Sequence, residues 1–197
     1  MGKPMVFVSG LSRCGTSLTM QMLHRAGLPC AGSFPDFEVD EANHRAIDSR
    51  WLETQAGKAI KWLNPHLTPM PPVFGMVIWL DRNENEQAKS QMKFVALMLN
   101  QPRVPRHQVR ACAALLRRDR PLAFRAIAAT QMPTMSLTFE MLLSDTGTAA
   151  AKIAAFLHPF GQLDAAEMAR AVIPRSTGCQ SGLDVELALI RRATEAA

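Results

Sequence analysis

No run of about 18 apolar residues occurs in the 197-residue chain, and no charged leader followed by a long apolar stretch stands at its start. Neither a membrane-crossing helix nor a secretory signal is therefore expected, and the expected location is the cytoplasm. Cysteine is sparse: Cys14, Cys30, Cys112 and Cys179 are scattered and show no C-x-x-C spacing. In a reducing compartment they read as buried or free thiols, and no metal is expected. Aromatic residues make up only 6% of the chain. They do not alternate with basic residues as base stacking requires, and no zinc-finger or RNA-binding signature appears, so nucleic acid is not an expected partner. What is present is ample apolar material. A hydrophobic content of 48% can fill a core, and the length fits a single domain over residues 1–197.

The net charge of +5 is concentrated in one place. Between Gln101 and Arg125 lie seven arginines against the single acid Asp119, so that segment carries +6 and the remainder about −1. At helical spacing Arg106, Arg110 and Arg117 share one side, while Val109, Cys112 and Leu116 form an apolar stripe on another. Two readings stand: a solvated helix face, or a basic rim that steers an anion toward a pocket.

Strands and helices alternate along the chain. Val6 to Ser9 reads as a short buried strand, and Thr16 to Ala26 as a helix with Leu18, Met22 and Ala26 on one face. The Gly-, Pro- and acid-rich stretch from Gly27 to about Asn43 reads as a surface loop placed to lie over the ligand site. Ala59 to Leu63 is a second strand, ended by Asn64-Pro65. Gly75 to Leu80 is the near-continuous apolar run of a central parallel strand. A helix is expected from about Asn85 to Leu99, a strand from Met135 to Phe139, and edge-packing helices thereafter. This order predicts an α/β fold: three α/β/α layers around a central parallel sheet, like the P-loop NTPases, with ligands at the carboxyl ends of the strands.

The first strand runs into Ser9-Gly10-Leu11-Ser12-Arg13-Cys14-Gly15-Thr16-Ser17. Gly10 and Gly15 have the separation found in phosphate-binding loops of the form G-x-x-x-x-G-K-[ST], but Thr16 stands where lysine belongs. Backbone N–H groups and the helix N-terminus still favour an anion there. Arg13 puts a fixed guanidinium inside the turn, suited to bidentate bonds with phosphate or sulfate oxygens. Thr16 and Ser17 add hydroxyls, which could equally serve as a helix cap.

Together with Ile78-Trp79-Leu80-Asp81-Arg82, the Ser90 eight residues on, and Leu137-Thr138-Phe139-Glu140-Met141-Leu142-Leu143, this loop resembles the sulfotransferases that use 3′-phosphoadenosine-5′-phosphosulfate (PAPS). The likeness covers residues 5 to about 160. It implies that Arg13, Cys14, Gly15, Thr16 and Ser17 hold the 5′-phosphosulfate, that Arg82 and Ser90 hold the 3′-phosphate, and that the product is adenosine 3′,5′-bisphosphate (PAP). Many members have Ser-Gly-Thr where this chain has Cys14-Gly15-Thr16. Arg175-Ser176-Thr177-Gly178 followed by Gly182 distantly resembles the element that closes over the nucleotide, which makes Arg175 a possible phosphate ligand. Ile60-Lys61-Trp62-Leu63-Asn64-Pro65-His66 is similar to the stretch that carries a lysine near the transferred group. Lys61 is therefore a candidate for charge stabilisation and His66 for the general base. Other branches take a carboxylate from the loop after the first helix, where Asp36 and Glu38 stand, so Glu38 competes with His66. The acceptor is expected to be a small molecule, a glycan or a lipid head group. A nucleotide-dependent kinase using Asp81 for magnesium, or a noncatalytic anion-binding protein of the same fold, are the alternatives.

Overall fold

The computed structural model describes residues 3–43, 49–101 and 103–178. Four strands, β1 (Met5–Gly10), β2 (Ala59–Leu63), β3 (Gly75–Asp81) and β4 (Thr134–Thr138), pair in the order β2-β1-β3-β4, every pair parallel. Parallel neighbours need crossovers, and helices supply them. After β1 comes α1 (Thr16–Arg25), then a short α2 (Ser49–Glu53). Between β3 and β4 run α3 (Glu84–Met98) and α4 (Arg106–Ala128). After β4 follow α5 (Phe139–Ser144), α6 (Thr146–Phe156) and α7 (Ala165–Arg170).

Strand alternation divides the core in two. Val6, Val8, Ile78 and Leu80 face α1, α6 and α7, where Met20, Leu23, Ile153 and Met168 meet them. Phe7, Trp62, Val77 and Trp79 face the other way, onto Ala123 and Ile127 of α4. The expected α/β/α layering is present, and all six residues of β1 are buried.

Boundaries moved where side chains cap. Asn83 accepts from the amides of Asn85 and Glu86, so α3 starts one residue early at Glu84. Thr138 accepts from Met141 N at 3.1 Å, which ends β4 and makes Phe139 helical. Two readings need correction. The segment after α1 is not simply a surface loop. Ala31 N donates to Ala59 O and Ala59 N to Pro29 O, both at 2.8 Å, which ties it beside β2, and Asp36 and Phe37 are buried. The helices after β4 cover a face of the sheet rather than its edge, because Ile153 and Met168 complete the core over β1 and β3.

β1 ends at Gly10, where backbone and loop approach closely. A Cβ there would overlap Cys14 Sγ and lie 2.6 Å from Leu80 O. Gly10→Ala is expected to destabilise the fold by about 1–3 kcal/mol, the usual cost of overpacking. Urea unfolding checks this: a midpoint equal to that of the wild type would mean that the turn relaxes freely.

Candidate active site

The loop between β1 and α1 is held in shape by residues distant in sequence. Gln87 of α3 donates to Leu11 O at 3.2 Å and Ser12 O at 2.8 Å. Asn64, just past β2, donates to Ser12 Oγ at 3.2 Å and accepts from Ser12 N at 3.3 Å. Its φ of +51° is one that Asn tolerates better than most residues. Arg13 itself adopts φ +70°, an unusual conformation for a non-glycine residue and one found at functional turns. Gly15, at φ +108°, caps α1, and no side chain caps the helix in its place. Thr16 and Ser17 are thus the first helical residues and not the cap. Burial pushes the Cys14 thiol up to about 12, so it stays neutral and acts as a small packing group.

One group of cations gathers at the Arg13 end of this loop. Arg13 Nε donates to Ser90 Oγ at 3.3 Å, and its guanidinium lies 5.2 Å from the Phe94 ring centroid. Arg82, buried at the end of β3, donates from Nη1 to Arg13 O at 3.2 Å and stacks 4.2 Å from the Phe139 ring centroid. Arg175 reaches the same ring at 5.9 Å. Arg13, Arg82 and Ser90 are therefore brought together and Arg175 lies nearby, whereas Gly182 lies outside the described residues.

Arg82 is in turn held by a residue that the sequence did not single out. Arg120 Nη2 donates to Arg82 O and pairs with Asp81 Oδ1, each at 2.9 Å, and its Nη1 lies 3.5 Å from Glu84 Oε2. Asp81 Oδ1 also accepts the Arg82 amide at 2.8 Å. The Glu84 carboxyl is held below its usual range by its own backbone amide and then by Arg117 and Arg120. The signal was in the stripe: Arg120 falls four residues after Leu116, and a cation on a packed face demands acids opposite it.

A second group meets Ser17. Buried Lys61 donates to Ser17 Oγ at 2.8 Å and to Asp36 O at 3.1 Å, and pairs with Glu38 Oε1 at 2.5 Å. His66 is elsewhere. Lys61 shares the strand face of Ala59, toward α1, while the His66 Nε2 lies 3.7 Å from Asp119 Oδ2 of α4, the helix that covers the opposite face. Of the two base candidates, Glu38 is the one beside Lys61, and His66 pairs with Asp119 of α4 instead.

No protein-family model and no curated protein matches the sequence. Solved structures match by shape. The mouse sulfotransferase SULT7A1 complexed with PAP superposes with a TM-score of 0.56 at 17% identity, covering 93% of this chain and 71% of that one. Retinol dehydratase with androsterone and inactive cofactor PAP superposes at 0.54 and 16% identity, over 85% of this chain and 62% of that one. The same enzyme with retinol and PAP gives 0.51 and 15%. The chain has a sulfotransferase fold. It spans less than two thirds of the length of retinol dehydratase. Within this sulfotransferase fold, the two polar groups flank the first loop, with Arg13 at one end and Ser17 at the other.

Proposed function

We propose that the chain is a sulfotransferase that moves the sulfuryl group of PAPS to a hydroxyl or amine of a small molecule, glycan or lipid head group. The observation that carries this reading is the pair of polar groups at the two ends of the first loop: the cations Arg13 and Arg82 with Ser90 at one, the Lys61–Glu38 ion pair with Ser17 at the other. A nucleotide with anionic groups at two positions fits such a donor set, and the SULT7A1 and retinol dehydratase structures were solved with PAP.

Arg82 and Ser90 bind the 3′-phosphate. The amides of Gly15, Thr16 and Ser17, with Arg13, hold the 5′ end, where the N-terminus of α1 adds its dipole. PAPS supplies the sulfuryl group as donor substrate. Lys61 offsets the negative charge that grows on the leaving phosphate oxygen as its bond to sulfur breaks. Glu38 takes the proton from the acceptor as the new bond to sulfur forms. Its ion pair with Lys61 keeps base and cation together. Asp81 is occupied by Arg120 and the Arg82 amide, which favours a bracing role for it over magnesium binding.

Thermal unfolding tests the donor. PAP without magnesium is expected to raise the melting temperature, and at 100-fold excess over its dissociation constant to stabilise by about 2.7 kcal/mol. Stronger stabilisation by Mg-ATP than by PAP would reject the reading in favour of a kinase.

A further inference from the structure

α3 leaves the carboxyl end of β3 and α4 packs back along it as a helical hairpin. Arg120 stands level with Asp81, and the fourteen residues back to Arg106 span about 21 Å along α4, at 1.5 Å per residue. At its tip three consecutive apolar residues face solvent: Leu97, Met98 and Leu99 are 54%, 39% and 61% exposed. Beside them Arg103, Arg106 and Arg110 are exposed and form no ion pair among the described residues. From Ala88 to Arg118 the sequence carries seven lysines and arginines and no acid.

We propose that this tip docks on an anionic lipid surface. An apolar triplet inside a collar of exposed cations has the composition of an interfacial anchor: Leu97, Met98 and Leu99 enter the boundary between headgroups and acyl chains, and the arginines meet lipid phosphates. A second copy of the chain is a poor occupant, because the same patch would set like charges against each other. Steering of a free anion needs the arginines but gives no reason for exposed leucines. Among the described residues no helix is long and apolar enough to cross a membrane, so the contact lies at the surface. Docking there would present the nucleotide edge of the sheet, from which the hairpin springs, to acceptors held in or on the bilayer.

Co-sedimentation of the full chain with vesicles tests this. Binding is expected to phosphatidylcholine vesicles containing phosphatidylglycerol, to be absent with phosphatidylcholine alone, and to weaken as salt rises. Arg106→Gln and Arg110→Gln should each weaken it about fivefold, the effect of one charge near the surface. The double change Leu97→Ser and Leu99→Ser should weaken it at least tenfold, given the apolar area lost. All four residues are exposed, and an unchanged melting temperature for each variant keeps the comparison valid. The absence of vesicle binding overturns the proposal. So does binding that falls with the arginine changes and ignores the leucine changes, which would assign the patch to an acidic protein or glycan. Because vesicle docking requires nothing of the nucleotide site, it stands or falls separately from the PAP measurement.

Discussion

Lys61→Met is expected to lower turnover by about 10²–10³-fold at saturating donor, while affinity for PAP changes little. That is the cost of removing one preorganised donor aimed at charge that develops in the transition state. Methionine keeps most of the buried stem, so the packing loss is small. Removing the ammonium leaves the Glu38 carboxylate without this partner, and its side chain is 16% exposed, so water takes up part of the difference. The kinetic effect should therefore exceed the effect on stability. Lys61→Arg should restore part of the rate, because it returns a cation to Ser17 and Glu38. Glu38→Gln should also depress turnover, with the acceptor proton left without its base, whereas His66→Gln should not, since His66 pairs with Asp119 of α4 rather than with Lys61. Turnover of Lys61→Met within threefold of the wild type would remove Lys61 from the chemistry.

The parts of this site that could be read in advance are those whose meaning is local. Gly10 and Gly15 in a strand-to-helix turn, a buried apolar strand running into Arg82, and Ser90 eight residues on all carry their signal within a few residues. The bracing residues do not. Gln87 reaches the loop across 76 and 75 positions and Asn64 across 52, distances at which a single sequence contains no pattern. Asp36 and Phe37 sit in a Gly- and Pro-rich stretch whose composition reads as exposed, and only the pairing of Ala31 with Ala59 reveals that the segment packs beside β2. Which base candidate stands beside Lys61 depends on strand parity. Lys61 had to point to one face or the other, and that was decided by which helices cover which face, a tertiary fact.

Arg82→Met is expected to weaken PAP binding by about 10²-fold and adenosine 5′-phosphate binding by much less, so that the preference for the 3′-phosphorylated nucleotide collapses. Charge-assisted bonds to a phosphate contribute roughly 1.5–3 kcal/mol each, and Arg82 is the cation whose backbone follows β3 directly into α3. Isothermal titration with both nucleotides measures the ratio, and an equal loss for the two would place the 3′-phosphate elsewhere. Arg120 supplies the companion experiment. It holds Arg82 O and Asp81, which in turn holds the Arg82 amide, so it fixes the turn from which Arg82 projects. Arg120→Met should thus reduce the same selectivity by a smaller factor, about tenfold, and Arg120→Lys should recover part of it by pairing with Asp81 while losing the second bond to Arg82 O. A purely structural arginine would lower the melting temperature and leave the nucleotide ratio untouched. Loss of the ratio in Arg120→Met at unchanged melting temperature is the result that separates positioning from stability, and it follows from a guanidinium that bridges a strand end and a helix start.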